Sequence, residues 1–471
     1  MFILAESLRP PLGGSPDAPS GREESGLRRG LPRAKLRVLL IFCLQALSLA
    51  FFCPLQAAGV PEGRGVDTYN MFQAVEKALG ENFRISSAEE GLAMSESSRK
   101  EALSAFGPSL GTTYGFTRQE HADDDVYSWR VSLTQELFSG FSTLAAYQKA
   151  ALQKDSAGAA LAQARLDLIL QVQQNFLLYL KAEENVRSAL DSYNRLAEQL
   201  KVTKSFYEVG LRPRVEVLQA EVNVSEAEDL LLKNRNTVEI QRVRLNTLLN
   251  LPAGLEVQYI GSLEHIPFDG SLEQCLSKAY EKRPDVLTAR KSVDVAEKDR
   301  TIARGRLWPT LSASASWSSS GDGWKADGYT PWANDYKSWS VGLNAALSLF
   351  ESGSDYFALQ KADHNISKVK ADAAVLRKEV VYEVQSRLLE LENAQKRIVV
   401  ARKGVEQASE AYRVAAARYK SQVGTSIDVL DAQARLTAAE VSLTGAQADY
   451  LSALAATYAA IGEENPDLRP R

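Results

Sequence analysis

The sequence predicts a mostly α-helical fold with a small β-barrel part, built from duplicated long helical hairpins and four amphipathic strands. Three observations predict it. The chain repeats itself at a constant offset of 212 positions. The proline-free stretch 142–206, like its counterpart 354–419, carries apolar residues at helical spacing over a length of about 100 Å. Apolar and polar side chains alternate along 126–138 and again along 337–350.

The repeat organises the chain. Leu137-Phe138 falls on Leu349-Phe350, Gln148-Lys149-Ala150 on Gln360-Lys361-Ala362, Tyr207 on Tyr419, and Val217-Leu218 on Val429-Leu430. The repeats are 58–252 and 271–462, joined by a linker over 253–270 and followed by a tail over 463–471. In each, a helix comes first, about 67–105 and 271–306, and Pro108 or Pro309 ends it. Two strands around a polar loop follow, then the long helix, a tight turn and a returning helix. A helix about 100 Å long outgrows any globular core and needs neighbours along its length, so coiled-coil packing is expected.

In 126–138, Tyr127, Trp129, Val131, Leu133 and Leu137 alternate with Ser128, Arg130, Ser132, Thr134 and Glu136. Trp339, Val341, Leu343, Leu347 and Leu349 stand against Ser338, Ser340, Asn344 and Ser348 in the second half. A soluble sandwich with one wet face would need a covering sheet that no segment supplies. A transmembrane β-barrel, apolar outward and polar toward a lumen, fits segments of about ten residues. Four strands are too few to close, since the smallest such barrels have about eight. Open edges do not survive in lipid, so closure demands oligomerisation.

Composition sets the surroundings. The 471 residues carry 55 Lys+Arg and 59 Asp+Glu, a modestly acidic balance that argues against nucleic acid as a partner. Residues 1–57 read as an N-terminal extension with a cleaved signal peptide: basic Arg33, Lys35 and Arg37, an apolar run Val38–Cys53, then small residues at Ala57-Ala58. The apolar run is short for a retained anchor. The remaining chain has 48 basic and 55 acidic side chains, a formal charge of -7, and Cys275 as its one cysteine, so no intrachain disulfide is available.

Local motifs then become specific. Arg283-Pro284-Asp285-Val286 opens the second half; Leu137-Phe138-Ser139-Gly140 and Leu349-Phe350-Glu351-Ser352-Gly353 end strands; Val209-Gly210-Leu211 and Val423-Gly424-Thr425 mark hairpin tips. Glu216-Val217-Leu218-Gln219-Ala220 and Asp428-Val429-Leu430-Asp431-Ala432-Gln433 follow the tips. In order and spacing these resemble the TolC-like outer-membrane efflux proteins over nearly all of 67–462. The resemblance implies a homotrimer with a twelve-stranded barrel in the outer membrane of a Gram-negative cell and a helical tunnel through the periplasm. It implies a passive exit duct of a tripartite efflux pump or type I secretion system, neither an enzyme nor a cofactor protein. The energy would come from an inner-membrane RND or ABC transporter, through a periplasmic adaptor.

The resemblance also assigns residues. Asp428 and Asp431, three apart on one helix face, match positions lining the pore constriction, where threefold symmetry would gather carboxylates that raise one another's pKa and favour cations. Their plainer reading is acidic charge at a helix N-terminus. Glu216 and Tyr419 match a gate latch. A family arginine that also latches the tip falls on Gly424, which leaves Arg212, Arg214 or Lys420 to replace it, and Gln422 stands where a glycine is usual. Val209, Gly210, Leu211, Val423, Gly424 and Thr425 match the adaptor contacts, although glycine also suits any tight reversal because it accepts positive φ.

Other chemistry finds no support. His121, His265 and His364 are isolated, and no phosphate-binding loop, nucleophile elbow or CxxC is present. Asp123-Asp124-Asp125 reads as a solvated loop between strands, and three methionines make no thioether copper path. The alternatives are a periplasmic coiled-coil adaptor, which would ordinarily carry one hairpin with flanking β-domains, or an envelope scaffold, which leaves the strand alternation unexplained.

Overall fold

A computed structural model describes residues 67–118, 125–321, 323–326 and 337–465. The signal segment 1–57, His121, Asp123 and Asp124 lie outside the described residues. The first half runs β1 (Asp67–Tyr69), α1 (Met71–Glu81), α2 (Phe83–Ser104), β2 (Ser109–Thr117), β3 (Val126–Ser139), α3 (Ser142–Glu208) and α4 (Arg214–Leu248). The second runs β4 (Val257–Tyr259), α5 (Leu272–Lys282), α6 (Pro284–Gly305), β5 (Thr310–Gly321), β6 (Lys337–Ala346), α7 (Ser354–Lys420) and α8 (Ser426–Ala460). The duplication is exact in length where it matters: α3 and α7 have 67 residues each, and α4 and α8 have 35 each.

Two expectations are corrected. The helices expected over 67–105 and 271–306 are each broken in two. Asn82 breaks the first: its backbone is extended, its side chain caps α2 by accepting from the Arg84 N–H, and its amide donates to the Leu248 carbonyl at 2.9 Å. Arg283 breaks the second, because the residue before a proline is pushed out of the α region and Pro284 is suited to a helix start. Within the linker 253–270, β4 pairs in parallel with β1, Tyr69 opposite Tyr259. Strand β6 ends at Ala346, short of the alternation that continues to Leu349.

Helix α3 is the spine. It packs against α2, α4, α6 and α8, and the deepest core gathers at its middle. There Leu168, Val172, Phe176 and Leu180 are buried against Ala74 and Ala78 of α1 and Tyr259 of β4. On an adjoining face, Leu177 joins Leu391, Ile398, Leu451 and Leu454 of the second hairpin. Burying each such side chain contributes about 1.5–3 kcal/mol, so this cluster anchors both hairpins while their far ends are held by polar contacts.

The strands form one antiparallel sheet in the order β2-β3-β5-β6, with a bulge between Glu136 and Phe138. Strands β2 and β6 are its edges. Its apolar face is bare: Leu110, Trp339, Val341 and Leu343 are each more than 70% exposed. Among the described residues no helix is long and apolar enough to cross a membrane.

Candidate functional site

The two hairpin tips lie side by side and are built alike. At the first, Leu211 N–H donates to the Phe206 carbonyl at 2.8 Å and Gly210 N–H to Tyr207 at 2.9 Å. At the second, Val423 N–H donates to Arg418 at 2.9 Å and Gln422 N–H to Tyr419 at 3.0 Å. Both are helix C-terminal turns of the Schellman type, which need a left-handed residue. Gly210 takes it with φ 77°, and Gln422 takes it with φ 61°.

This corrects the reading of Gly424, which is not the left-handed residue. Space there is tight, since a Cβ would sit 3.2 Å from both the Arg418 Cβ and the Tyr419 amide nitrogen. The offset of 212 places Gln422 on Gly210 and Gly424 on Arg212, so the two tip tripeptides are not equivalent turns.

Arg212 reaches across to the second tip. Its guanidinium donates to the Gly424 carbonyl at 2.9 Å, lies 3.5 Å from a Glu216 carboxylate oxygen, and stands over the Tyr419 ring at 5.2 Å. Tyr419 is fully buried. Its hydroxyl donates to Glu216 at 3.4 Å and lies 3.1 Å from the Thr203 hydroxyl. Burial, chiefly, pushes the Tyr419 phenol above its ordinary value, so it stays a donor at neutral pH. Glu216 and Tyr419 are therefore brought together, with Arg212 bridging them to the opposite tip. Arg214 and Lys420 have no such bridge among the described residues.

Thr203 and a second polar cluster higher on the seam escaped the sequence reading. The buried Gln433 donates to Ser192 at 3.2 Å, and Arg195 pairs with Glu440 at 3.0 Å. Helical spacing flags such positions only as seam, and their partners lie more than 200 residues away in sequence. Arg212 did leave a signal, as a long cation at a hairpin tip occupying the repeat position of a glycine.

Asp428 and Asp431 occupy the first turns of α8 but do different things. Asp428 completes a capping box: its carboxylate accepts from the Thr425 N–H at 3.0 Å, and the Thr425 hydroxyl accepts from the Asp428 N–H at 3.2 Å. These bonds hold the Asp428 carboxyl below its ordinary range, opposite to the upward push that crowded like charges would exert. Asp431 is exposed and paired with Arg435 at 3.0 Å. Val209, Leu211, Val423 and Ile427 are exposed apolar residues at the two tips.

The comparisons with known proteins agree with this architecture. The family model described as outer membrane efflux protein matches residues 74–251 and 275–463, one match per repeat. Outer membrane protein TolC of Vibrio cholerae is 26% identical over 372 residues, covering 76% of this chain and 83% of the relative. Outer membrane efflux protein BepC of Brucella suis is 22% identical over 417 residues, covering 88% and 90%. The solved outer membrane protein VceC of Vibrio cholerae superposes with a TM-score of 0.72 at 19% identity, over 84% of this chain and 96% of that one, a likeness of fold.

Proposed function

The chain belongs to the outer membrane efflux protein family, and on that premise we propose that three copies close a twelve-stranded barrel above a periplasmic tunnel gated at the helical tips. It is an outer-membrane exit duct with a large periplasmic helical portion, a channel protein of an efflux or secretion system. The observation that carries the trimer is the sheet itself. It is apolar on one face, hydroxyl-lined on the other, and unpaired along β2 and β6. Pairing β6 of one copy with β2 of the next removes every edge, as lipid requires.

The finer reading follows from the tips. Arg212, Glu216 and Tyr419 hold the second hairpin against the first and keep the tunnel shut. The exposed apolar Val209, Leu211 and Val423, with Gly210, Gly424 and Thr425 in the turns, offer a periplasmic adaptor its docking surface. Through that adaptor an inner-membrane RND or ABC transporter would drive cargo. Asp428 and Asp431 would then line the narrow end as a carboxylate ring. Residues 1–57 would direct export and be removed.

Single-channel recording of purified protein in planar lipid tests this. Small cation-selective steps that grow or lose selectivity in an Asp428→Ala/Asp431→Ala variant support the gated duct. Unchanged steps would remove the ring assignment, and folded trimers that never conduct would remove the duct.

A further inference from the structure

Among the described residues, the hydroxyl face of the sheet carries one unpartnered charge. In register across the four strands stand Thr113, Arg130, Ser318 and Ser338, and one step below stand Gly111, Ser132, Ser316 and Ser340. Ser316 bonds Ser340 at 3.0 Å and Ser318 bonds Ser338 at 2.8 Å, so the face around Arg130 is a wall of short neutral side chains. Among the described strand residues only Arg130 and Glu136 are ionisable on this face. Glu136 lies six residues along β3, about 20 Å away at the strand rise, and accepts from Thr143 at the start of α3 at 2.6 Å. Arg130 is exposed, and no ion pair engages it among the described residues. Lys337, the nearby cation on β6, is in register with Ser319 and so belongs to the opposite face.

We propose that Arg130 forms a cationic ring inside the barrel that favours the exit of carboxylate- or phosphate-bearing solutes and repels cations. This rests on the trimeric duct proposed above, which sets three guanidinium groups four strands apart around one lumen. Twelve strands about 4.8 Å apart, tilted about 40°, give a wall radius of about 12 Å. An arginine reaching inward from that wall brings its charge within a Debye length, about 8 Å at physiological salt, of the axis. No solute can then pass beyond the reach of all three. The short neighbours leave each fork of donors free, and a guanidinium grips a carboxylate or phosphate bidentately. Arg130 is thus a selectivity residue of the barrel, distinct from the carboxylates at the tip.

The test uses full-length trimer in planar lipid, in the Asp428→Ala/Asp431→Ala background so that the tip does not dominate selectivity. Reversal potentials in a KCl gradient, and block by inorganic pyrophosphate added on the barrel side, are read for the parent, Arg130→Ser and Arg130→Lys. Arg130→Ser repeats the residue of neighbouring positions, and its heat-stable trimer band checks folding. The expected result is an anion-over-cation permeability ratio lowered about fivefold or more in Arg130→Ser, with pyrophosphate block weakened similarly. Arg130→Lys should keep the permeability ratio but lose much of the block, because an ammonium is a point charge without a fork. Equal ratios and equal block in parent and Arg130→Ser would overturn the ring while leaving the duct standing. Folded parent trimers that form no pores would overturn the duct and the ring with it.

Discussion

Arg212 joins three groups that sequence separates by more than 200 residues: the Gly424 carbonyl, the Glu216 carboxylate and the Tyr419 ring. Hydrogen bonds to a charged group contribute about 1.5–3 kcal/mol each, and this side chain is largely shielded from solvent. Arg212→Ala should therefore raise the open probability of the duct tenfold or more, read as larger or longer conductance steps with an unchanged melting temperature of the barrel. Arg212→Lys should rescue little, because one ammonium cannot span carbonyl, carboxylate and ring together. The turn residues give a second expectation. A non-glycine residue in the left-handed region costs about 1–2 kcal/mol, so Gln422→Gly should stabilise the tip by about 0.5–1 kcal/mol after the entropy that glycine adds to the unfolded chain. Gly424→Ala should instead cost about 1–3 kcal/mol through crowding against Arg418 and Tyr419, and hydrogen exchange of the tip amides would rank the two. The sequence showed that a glycine was missing at 422 and present at 424. Which of them carried the left-handed turn depended on helix length, fixed only when α7 ended at Lys420.

At the scale of elements, the long helices were the most legible part and their breaks the least. Stretches 142–206 and 354–419 came within two residues of α3 and α7, because an apolar stripe over many turns is a redundant signal. Asn82 and Arg283 each interrupt a stretch that is helical on both sides, and three-residue strands such as β1 and β4 carry no period to detect. The break at Arg283 is also a structural joint. Its guanidinium is only 12% exposed and binds Asp285 and Glu383 at 2.7 Å each, with the last carbonyl of α8, that of Ala460, at 2.9 Å. Removing one partner of such a half-buried set costs about 1.5–3 kcal/mol, which is the expected loss in Arg283→Met by thermal or denaturant unfolding. Burial pushes the Asp285 carboxyl up, but the Arg283 hydrogen bonds and charge pull it further down, to a net value below the ordinary 3.8. A depressed carboxyl adds stability that is fully present above its unfolded value and is lost as pH falls through its folded one. The melting temperature should accordingly hold between pH 7 and about 5 and decline below about pH 4, and Arg283→Met should lack the share of that decline owed to Asp285.

For the whole molecule, the offset of 212 residues disclosed the duplication, and alternation disclosed a sheet with two unlike faces. What covers each face is not a property of one chain, because in the proposed trimer β2 and β6 meet their partners only in neighbouring copies. Face assignment nevertheless has a sharp physical consequence. Val341 is 73% exposed on the apolar face, and Ser340, its neighbour in β6, stands on the hydroxyl face against Ser316. An arginine facing lipid at mid-depth costs about 2–4 kcal/mol, and a trimer suffers it three times around one cooperative barrel. Val341→Arg should therefore abolish heat-stable trimers in the outer membrane and leave protein that urea extracts. Ser340→Arg, one residue away with the same charge and bulk, should assemble normally and alter only conductance. Equal assembly of the two variants would contradict the inward and outward faces assigned to the strands. Failure of both would place β6 outside the lipid-crossing wall and leave the trimer to be closed by other strands.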